Sequence, residues 1–146
     1  MAKRLFLFIV TLLIVLSVVN CEKRQPFSAK QADFDGLIVN AVEQDFQPAL
    51  INKIFSLSGY SIYDDSKIKK KVIFERGCGE YALSIDEAKN KLSLRGVKNP
   101  FIVKAAGIVS PKDILVSDVD AVKILVADKN AGFLADAQVA FVYKKK

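Results

Sequence analysis

The chain has 146 residues, with 22 Lys or Arg, 16 Asp or Glu, two Cys and no His. Without His, the sequence excludes Ser-His-Asp and Cys-His nucleophile systems, an imidazole general base, and His-ligated zinc or haem. The two Cys are too few for a four-thiolate cluster. Hydrophobic residues form 51% of the chain, so we expect a folded protein, and the length suits one domain.

The first residues resemble a secretory signal peptide. Lys3 and Arg4 precede an apolar run from residue 5 to residue 19, and polar residues follow it. A helix of this run would reach about 22 Å, which is short of the roughly 30 Å hydrocarbon core of a bilayer. A basic start, a short apolar run and a polar exit are typical of a signal peptide. We therefore expect residues 1–20 to be a signal peptide, with a single membrane-spanning anchor as the alternative.

Cys21 follows this segment directly. Residues 18–21, Val-Val-Asn-Cys, resemble the bacterial lipoprotein signal, in which the Cys becomes the lipidated N-terminus, although Asn20 departs from the usual Gly, Ala or Ser. Ordinary cleavage nearby, or no cleavage, is the alternative. An Asp after the Cys retains enteric lipoproteins at the inner membrane, so Glu22 would permit delivery to the outer membrane. We expect lipidation at Cys21 and a location at the periplasmic face of the bacterial outer membrane, or otherwise in the periplasm.

Removal of the signal peptide would change the charge balance only slightly. It would leave 20 basic and 16 acidic residues, a net charge of +4 instead of +6. This mild excess, together with export, argues against nucleic acid as a partner. The expected partners are a lipid anchor in the outer membrane and proteins of the envelope, a homo-oligomeric ring being one form.

After the signal peptide we expect a tether over residues 21–33 and a single α+β domain over residues 34–146. The tether is polar and charged and contains Pro26. From Asp35 to Ser58 apolar residues recur at steps of three and four, which predicts helical structure that is broken or kinked at Pro48. The predicted fold is an N-terminal helical segment packed on a small, mostly antiparallel β-sheet.

A period of two predicts the strands of that sheet. Ile68–Phe74 alternates as an edge strand, whose lysines at 69–71 are solvated or contact anionic lipid headgroups. In residues 81–95 the alternation favours a β-hairpin, although Ser84 and Glu87 also fit the capping box of a helix. Further strands are predicted over residues 101–109 before a turn at Pro111, over residues 121–127, and over residues 138–143.

Three short segments carry a likeness to a known family. They are Asn90–Gly96, Gly107–Ile114 with its Gly-hydrophobic-Val-x-Pro-x-Asp-Ile pattern, and Ala135–Tyr143, which begins Ala-Asp-Ala and alternates to a Tyr. Together they resemble the C-terminal half of the flagellar basal-body L-ring lipoprotein family, over roughly residues 80–143. In that family the first segment ends a hairpin, and the connection from Ile114 to Ala135 is shorter. The resemblance implies an outer-membrane lipoprotein that assembles into a ring.

Few residues suggest chemistry of their own. Cys78 lies between two glycines and is the free thiol if Cys21 is lipidated. It could react or pair between chains, but we favour a buried structural thiol in a tight turn, and without lipidation a Cys21–Cys78 disulfide is the alternative. Asp113, Asp118 and Asp120 offer oxygen ligands, but without the EF-hand spacing we expect no metal site. No spacing indicates a catalytic carboxylate pair, a P-loop or a dinucleotide fingerprint.

The sequence therefore predicts a non-enzymatic protein that needs no cofactor. We expect an exported, lipid-anchored structural or interaction subunit of a bacterial cell-envelope assembly, either flagellar L-ring-like or a ring of a secretion apparatus. The strand carrying Val139, Phe141 and Tyr143 is expected to supply its packing or assembly surface. The alternative is a periplasmic inhibitor or immunity protein that binds an enzyme or toxin, with the positive charge favouring an acidic target.

Overall fold

Two four-stranded β-sheets and three α-helices make up the part of the chain that the structure describes. The structure is a computed structural model and describes residues 33–146, so the predicted signal peptide, the predicted lipidation site Cys21 and nearly all of the predicted tether lie outside the described residues. The strands are β1 (Gly36–Asn40), β2 (Lys53–Ser56), β3 (Ser61–Tyr63), β4 (Glu80–Ala82), β5 (Pro100–Lys104), β6 (Gly107–Ser110), β7 (Asp113–Val116) and β8 (Val139–Val142). The helices are α1 (Lys70–Arg76), α2 (Ile85–Leu94) and α3 (Asp118–Ala131).

The first sheet, called here the parallel sheet, has the strand order β4-β8-β1-β5, and all its neighbouring strands run parallel. Parallel strands are joined by crossovers that cover the sheet, so both faces are expected to be apolar. The central strands agree, because residues 37–39 of β1 and all four residues of β8 are at most 1% exposed. One face packs on Ala88 and Leu92 of α2. The opposite face belongs to the main core of the protein.

The second sheet, called the mixed sheet, has the strand order β3-β2-β7-β6. Its central strands β2 and β7 are parallel, and each pairs with an antiparallel neighbour at the edge. The inner face of this sheet and one face of α3 complete the main core, through Ile54, Ile114, Val116, Ala121, Ile124 and Ala127. Along the chain, β1 lies in the parallel sheet, β2 and β3 lie in the mixed sheet, and β4 lies in the parallel sheet again. The strands from β5 to β8 repeat this pattern. Each sheet therefore contains strands from both halves of the chain.

The α+β class is confirmed, but the helical front and the mostly antiparallel sheet are wrong. Residues 36–40 form β1 and residues 53–56 form β2, and in the described chain four of the six strand pairs are parallel. Residues 37–39 are an unbroken apolar run because β1 is buried on both faces. Periodicity alone does not distinguish such a run from part of a helix.

The predicted edge strand over Ile68–Phe74 is also wrong, since residues from Lys70 onward form α1. Val72 and Ile73 both pack against the main core, whereas Phe74 is 88% exposed. Two adjacent inward side chains fit a helical period and not a period of two. Lys, Glu and Arg are good helix formers, which favours this outcome for a charged segment.

The predicted hairpin over residues 81–95 is instead β4 followed by α2. The Ser84 hydroxyl accepts a hydrogen bond from the Glu87 N–H at 3.1 Å, and the Glu87 carboxylate accepts one from the Leu83 N–H at 2.8 Å. These reciprocal bonds fix the start of the helix in the manner of a capping box. Asn90–Gly96, which ends a hairpin in the L-ring family, is here the end of a helix and its following turn.

The predicted strand over residues 121–127 lies within α3 and is wrong for a similar reason. The Ser117 hydroxyl accepts a hydrogen bond from the Asp120 N–H at 3.0 Å and begins the helix. The predicted strand over residues 101–109 is divided into β5 and β6, because the chain passes there from one sheet to the other. The last strand and the turn at Pro111 are confirmed.

Candidate interaction surface

Val139, Phe141 and Tyr143 lie on or directly after the strand that the sequence analysis selected for assembly. Val139 and Phe141 are fully buried, and the Phe141 ring stacks on Phe46 and Tyr81 at centroid distances of 5.6 and 5.7 Å. Both edges of β8 are already paired, with β1 and β4. The strand therefore packs within its own chain, and a role of these residues in assembly stays a prediction.

Cys78 is a buried free thiol, the only cysteine in the described part of the chain. Burial raises its pKa, so the reactive thiolate is disfavoured. The flanking Gly77 and Gly79 have φ values of 75° and 141°, which suit glycine, and Cys78 lies at the bend between α1 and β4. The Cys78 carbonyl accepts a hydrogen bond from the Tyr63 hydroxyl at 2.8 Å. This geometry is that of a structural residue.

Asp113, Asp118 and Asp120 are each engaged in local hydrogen bonds instead of converging on one point. Their carboxylates accept from the Ser110 hydroxyl at 3.0 Å, the Ser58 N–H at 2.9 Å and the Ser117 hydroxyl at 2.8 Å, respectively. Within residues 33–146 there is no group of three or more His, Cys, Asp or Glu side chains placed to hold a metal ion.

A buried polar link that the sequence analysis missed joins the two sheets. Asn52, just before β2, is fully buried, and its amide donates to the carbonyls of Gln47 at 3.2 Å and Lys112 at 2.6 Å. Its carbonyl oxygen accepts from the Ala49 N–H at 2.9 Å and from the Tyr81 hydroxyl of β4. Burial raises the pKa of Tyr81 to about 12, so its hydroxyl stays a donor.

Arg95 makes a second link at the end of α2, around the edge strand β4. Its guanidinium binds the Glu80 carboxylate at 2.6 Å and donates to the carbonyls of Ala137 at 2.9 Å and Arg76 at 2.7 Å. The side chain of Arg95 is only 10% exposed. Helices α1 and α2 and the turn before β8 are thereby tied together, so this cluster is structural.

The outward face of α3 leaves four aliphatic side chains at the surface of the described chain. Val119 and Val122 are 64% and 61% exposed, and Leu125 and Val126 are each 44% exposed. The opposite face of α3 is already used in the main core. A contiguous apolar patch at a surface indicates an interaction site.

An apolar groove runs between α3 and the β2–β3 turn. Tyr60, Ile62, Val122 and Leu125 supply most of its apolar lining, and its volume is about 230 Å³. The Asp118 carboxylate holds the turn against the start of α3 through the Ser58 N–H. Leu57 and Tyr60, at the tip of the turn, are 56% and 74% exposed and extend the apolar surface. We call α3's outward face and this groove the α3 surface.

Together these features define a small α+β domain that presents an apolar helix and a groove. The chain belongs to the family described as the second domain of Treponema pallidum Tp0624, whose model matches residues 36–145. The match begins at the first residue of β1 and includes every strand and helix of the described fold. A search of the curated proteins found no match. In residues 33–146, no helix combines the length and the apolar character needed to cross a membrane.

Proposed function

We propose that the protein is an exported, non-enzymatic interaction subunit of a bacterial cell-envelope assembly, anchored to the outer membrane by a lipid at Cys21. The basic start, the apolar run and the Cys that follows it support export and anchoring. The assembly we propose is a ring of the flagellar L-ring or secretion type, which rests on the resemblance of Gly107–Ile114 and Ala135–Tyr143.

The α3 surface is the observation that carries the proposed interaction. Full burial of a Val or Leu side chain contributes about 1.5–3 kcal/mol, and the four outward side chains of α3 are already partly buried. Covering them gives on the order of 4 kcal/mol, before the cost of association. Such a surface suits a partner that also makes other contacts or is held nearby by a membrane anchor.

The family described for Tp0624 supports a modular role. Its description as a second domain means that the fold occurs there beside at least one other domain. In the present chain the same fold follows a predicted signal peptide and tether. We infer that the fold acts as a module that a longer chain, or a membrane anchor, positions for binding.

Site-specific photo-cross-linking in cells tests the interaction. A photoreactive amino acid at Val122 of the full chain should give a protein adduct, because this side chain is 61% exposed in the middle of the α3 surface. The matched control is Leu94 at the end of α2, which is 89% exposed and lies away from that surface. Equal adducts at both positions, or none at Val122, would contradict the proposal. A one-to-one complex with a foreign enzyme or toxin would support the alternative, a periplasmic inhibitor.

The anchor has a test of its own. The wild-type chain should incorporate labelled palmitate and accumulate as a precursor in the presence of globomycin, whereas Cys21→Ser should do neither. Absence of label in the wild type would remove the lipid anchor from the proposal while leaving the α3 surface in place.

A further inference from the structure

We propose that the partner of the α3 surface is a second copy of this chain, with the two α3 helices packed antiparallel about a two-fold axis. This proposal rests on the proposed function, because it names the partner for the same surface. A two-fold contact uses the same patch on both subunits, so the patch must be complementary to itself. Three features of α3 meet that requirement.

The first feature is the arrangement of the outward side chains. Val119, Val122 and Val126 follow one another at steps of three and four, and Leu125 lies three residues after Val122. Side chains at these steps form the ridge with which one helix packs against another. The ridge is continuous across the helix middle, so a second α3 can cross it there.

The second feature is the distribution of charge along α3. Asp118 and Asp120 lie in its first turn and Lys129 lies in its last turn. Lys123, between them, contacts the Asp120 carboxylate of its own helix at 4.0 Å, and the Asp128 carboxylate accepts a hydrogen bond from the Leu134 N–H at 2.7 Å. Antiparallel packing brings the acidic turn of each helix to the basic turn of the other and opposes the two helix dipoles. Parallel packing would place like charges together. Pairing of the first-turn carboxylates with Lys129 places the two-fold axis near Ile124, close to the middle of the helix.

The third feature is the groove beside the ridge. It is lined by Val122 and Leu125 on one side and by Tyr60 on the other, with an apolar floor that includes Ile62. An axis near Ile124 directs the aliphatic side chains at the middle of each helix, Val122, Leu125 and Val126, toward the groove of the other copy. The exposed Tyr60 ring then covers these side chains at the rim.

Disulfide trapping in the full chain tests the axis directly. With a rise of about 1.5 Å per residue, the two copies of residue 125 would be offset by about 3 Å along the helices, those of residue 122 by about 6 Å, and those of residue 119 by about 15 Å. Disulfides need Cα atoms within about 7 Å. Leu125→Cys should therefore give the most covalent dimer under mild oxidation in membranes, Val122→Cys less, and Val119→Cys at least about tenfold less than Leu125→Cys.

Matched controls separate this geometry from random collision. The parent chain, which keeps Cys21 and the buried Cys78, gives the background, and Leu94→Cys tests an exposed position outside the α3 surface. Lys129→Glu, added to Leu125→Cys, should lower the dimer yield, because it places acid against acid at both ends of the contact.

Three outcomes would overturn the proposed dimer. Equal yields at residues 119 and 125 would indicate parallel or non-specific contact. A photo-adduct at Val122 with a different protein, and no disulfide dimer at any position, would refute the second copy while leaving the proposed interaction function intact. Absence of both the adduct and the dimer would refute both proposals.

Discussion

The parallel sheet and the mixed sheet differ in how completely they are covered. In the parallel sheet, the central strands β1 and β8 have α2 on one face and the main core on the other. In the mixed sheet only the inner face reaches the main core, and Phe55 and Leu115 on the outer face are half-buried and belong to neither hydrophobic cluster. The parallel sheet is therefore where burial stabilises the fold, and the mixed sheet and α3 are where surface remains available.

The topology of each sheet explains the difference. Parallel strands require crossover connections, which supply the covering helices, whereas the antiparallel edge pairs of the mixed sheet are short hairpins that cover nothing. On the outer face Phe55 and Leu115 are cross-strand partners, with Ser61 beside one and Gly107 beside the other. These small neighbours leave the flanks of the two apolar side chains open.

The largest expected effect comes from the centre of the parallel sheet. Phe141→Ala should lower the free energy of unfolding by about 3–5 kcal/mol, because it leaves a cavity under two stacked rings in a fully buried strand. Urea unfolding followed by circular dichroism measures the loss.

The matched control removes the same side chain from the mixed sheet. Phe55→Ala should cost about 1 kcal/mol, because Phe55 is half-buried on the outer face and has no cluster to collapse around it. Equal losses for Phe141→Ala and Phe55→Ala would mean that both sheets are packed alike, and the comparison would fail.

The same contrast explains which elements could be predicted from the sequence. The strand β8 and the turn at Pro111 depend on neighbouring residues and were predicted. The strand β1 was not, because its apolar run reflects burial on two faces, one of them by α2, which lies more than forty residues away. The parallel pairing of β1 with β5 and β8 leaves no local signal, since its partners are joined to it only through long connections.

The second prediction concerns the contribution of polar contacts at the parallel sheet to the free energy of unfolding. Arg95→Met should lower the free energy of unfolding by about 2–3 kcal/mol, because it leaves the Glu80 carboxylate and two main-chain carbonyls without their donor. The Glu80 side chain is 29% exposed, so water compensates part of the loss. Urea unfolding of the two chains measures the difference.

An exposed ion pair of the same sheet provides the control for Arg95→Met. Lys104 on the edge strand β5 contacts Glu43 at 2.7 Å, with side chains 64% and 68% exposed. Lys104→Met should therefore cost less than about 1 kcal/mol. A loss for Lys104→Met as large as that for Arg95→Met would show that burial of the guanidinium contributes little.

The third prediction applies one substitution to the edge strand of each sheet. Val103 in β5 is 4% exposed, whereas Val109 in β6 is 64% exposed. Val103→Thr should cost about 1–2 kcal/mol, because it buries a hydroxyl in the main core, and Val109→Thr should change the free energy of unfolding by less than about 0.5 kcal/mol. Thermal and urea unfolding measure both, and similar costs at the two edges would contradict the difference in coverage.

The candidate site could be predicted only in part, for a physical reason that α3 makes clear. The Ser117 and Asp120 spacing marks the start of a helix, and steps of three connect Ala121, Ile124 and Ala127. These signals are local and were available in the sequence. Which of the two apolar stripes faces solvent depends on where the mixed sheet lies, and no local pattern contains that information. The same holds for the hydrogen bond between Tyr81 and Asn52, because these two residues are 29 positions apart in the chain.

The smallest expected effect concerns the polar link between the two sheets. Tyr81→Phe removes the hydroxyl whose single proton is shared by the Ala49 carbonyl at 2.6 Å and the side-chain carbonyl of Asn52, and should cost about 1 kcal/mol at neutral pH. The folded-state pKa of Tyr81 is raised from 10.0 to about 12, chiefly by burial, so its stabilising contribution is present below pH 10 and is lost between pH 10 and 12. The stability difference between wild type and Tyr81→Phe should therefore be constant up to pH 10 and shrink above it. The other ionisable groups are present in both chains and cancel in the difference. A difference that stayed constant through pH 12 would mean that the hydroxyl is not buried between the sheets, and Asn52 would then have no partner on β4.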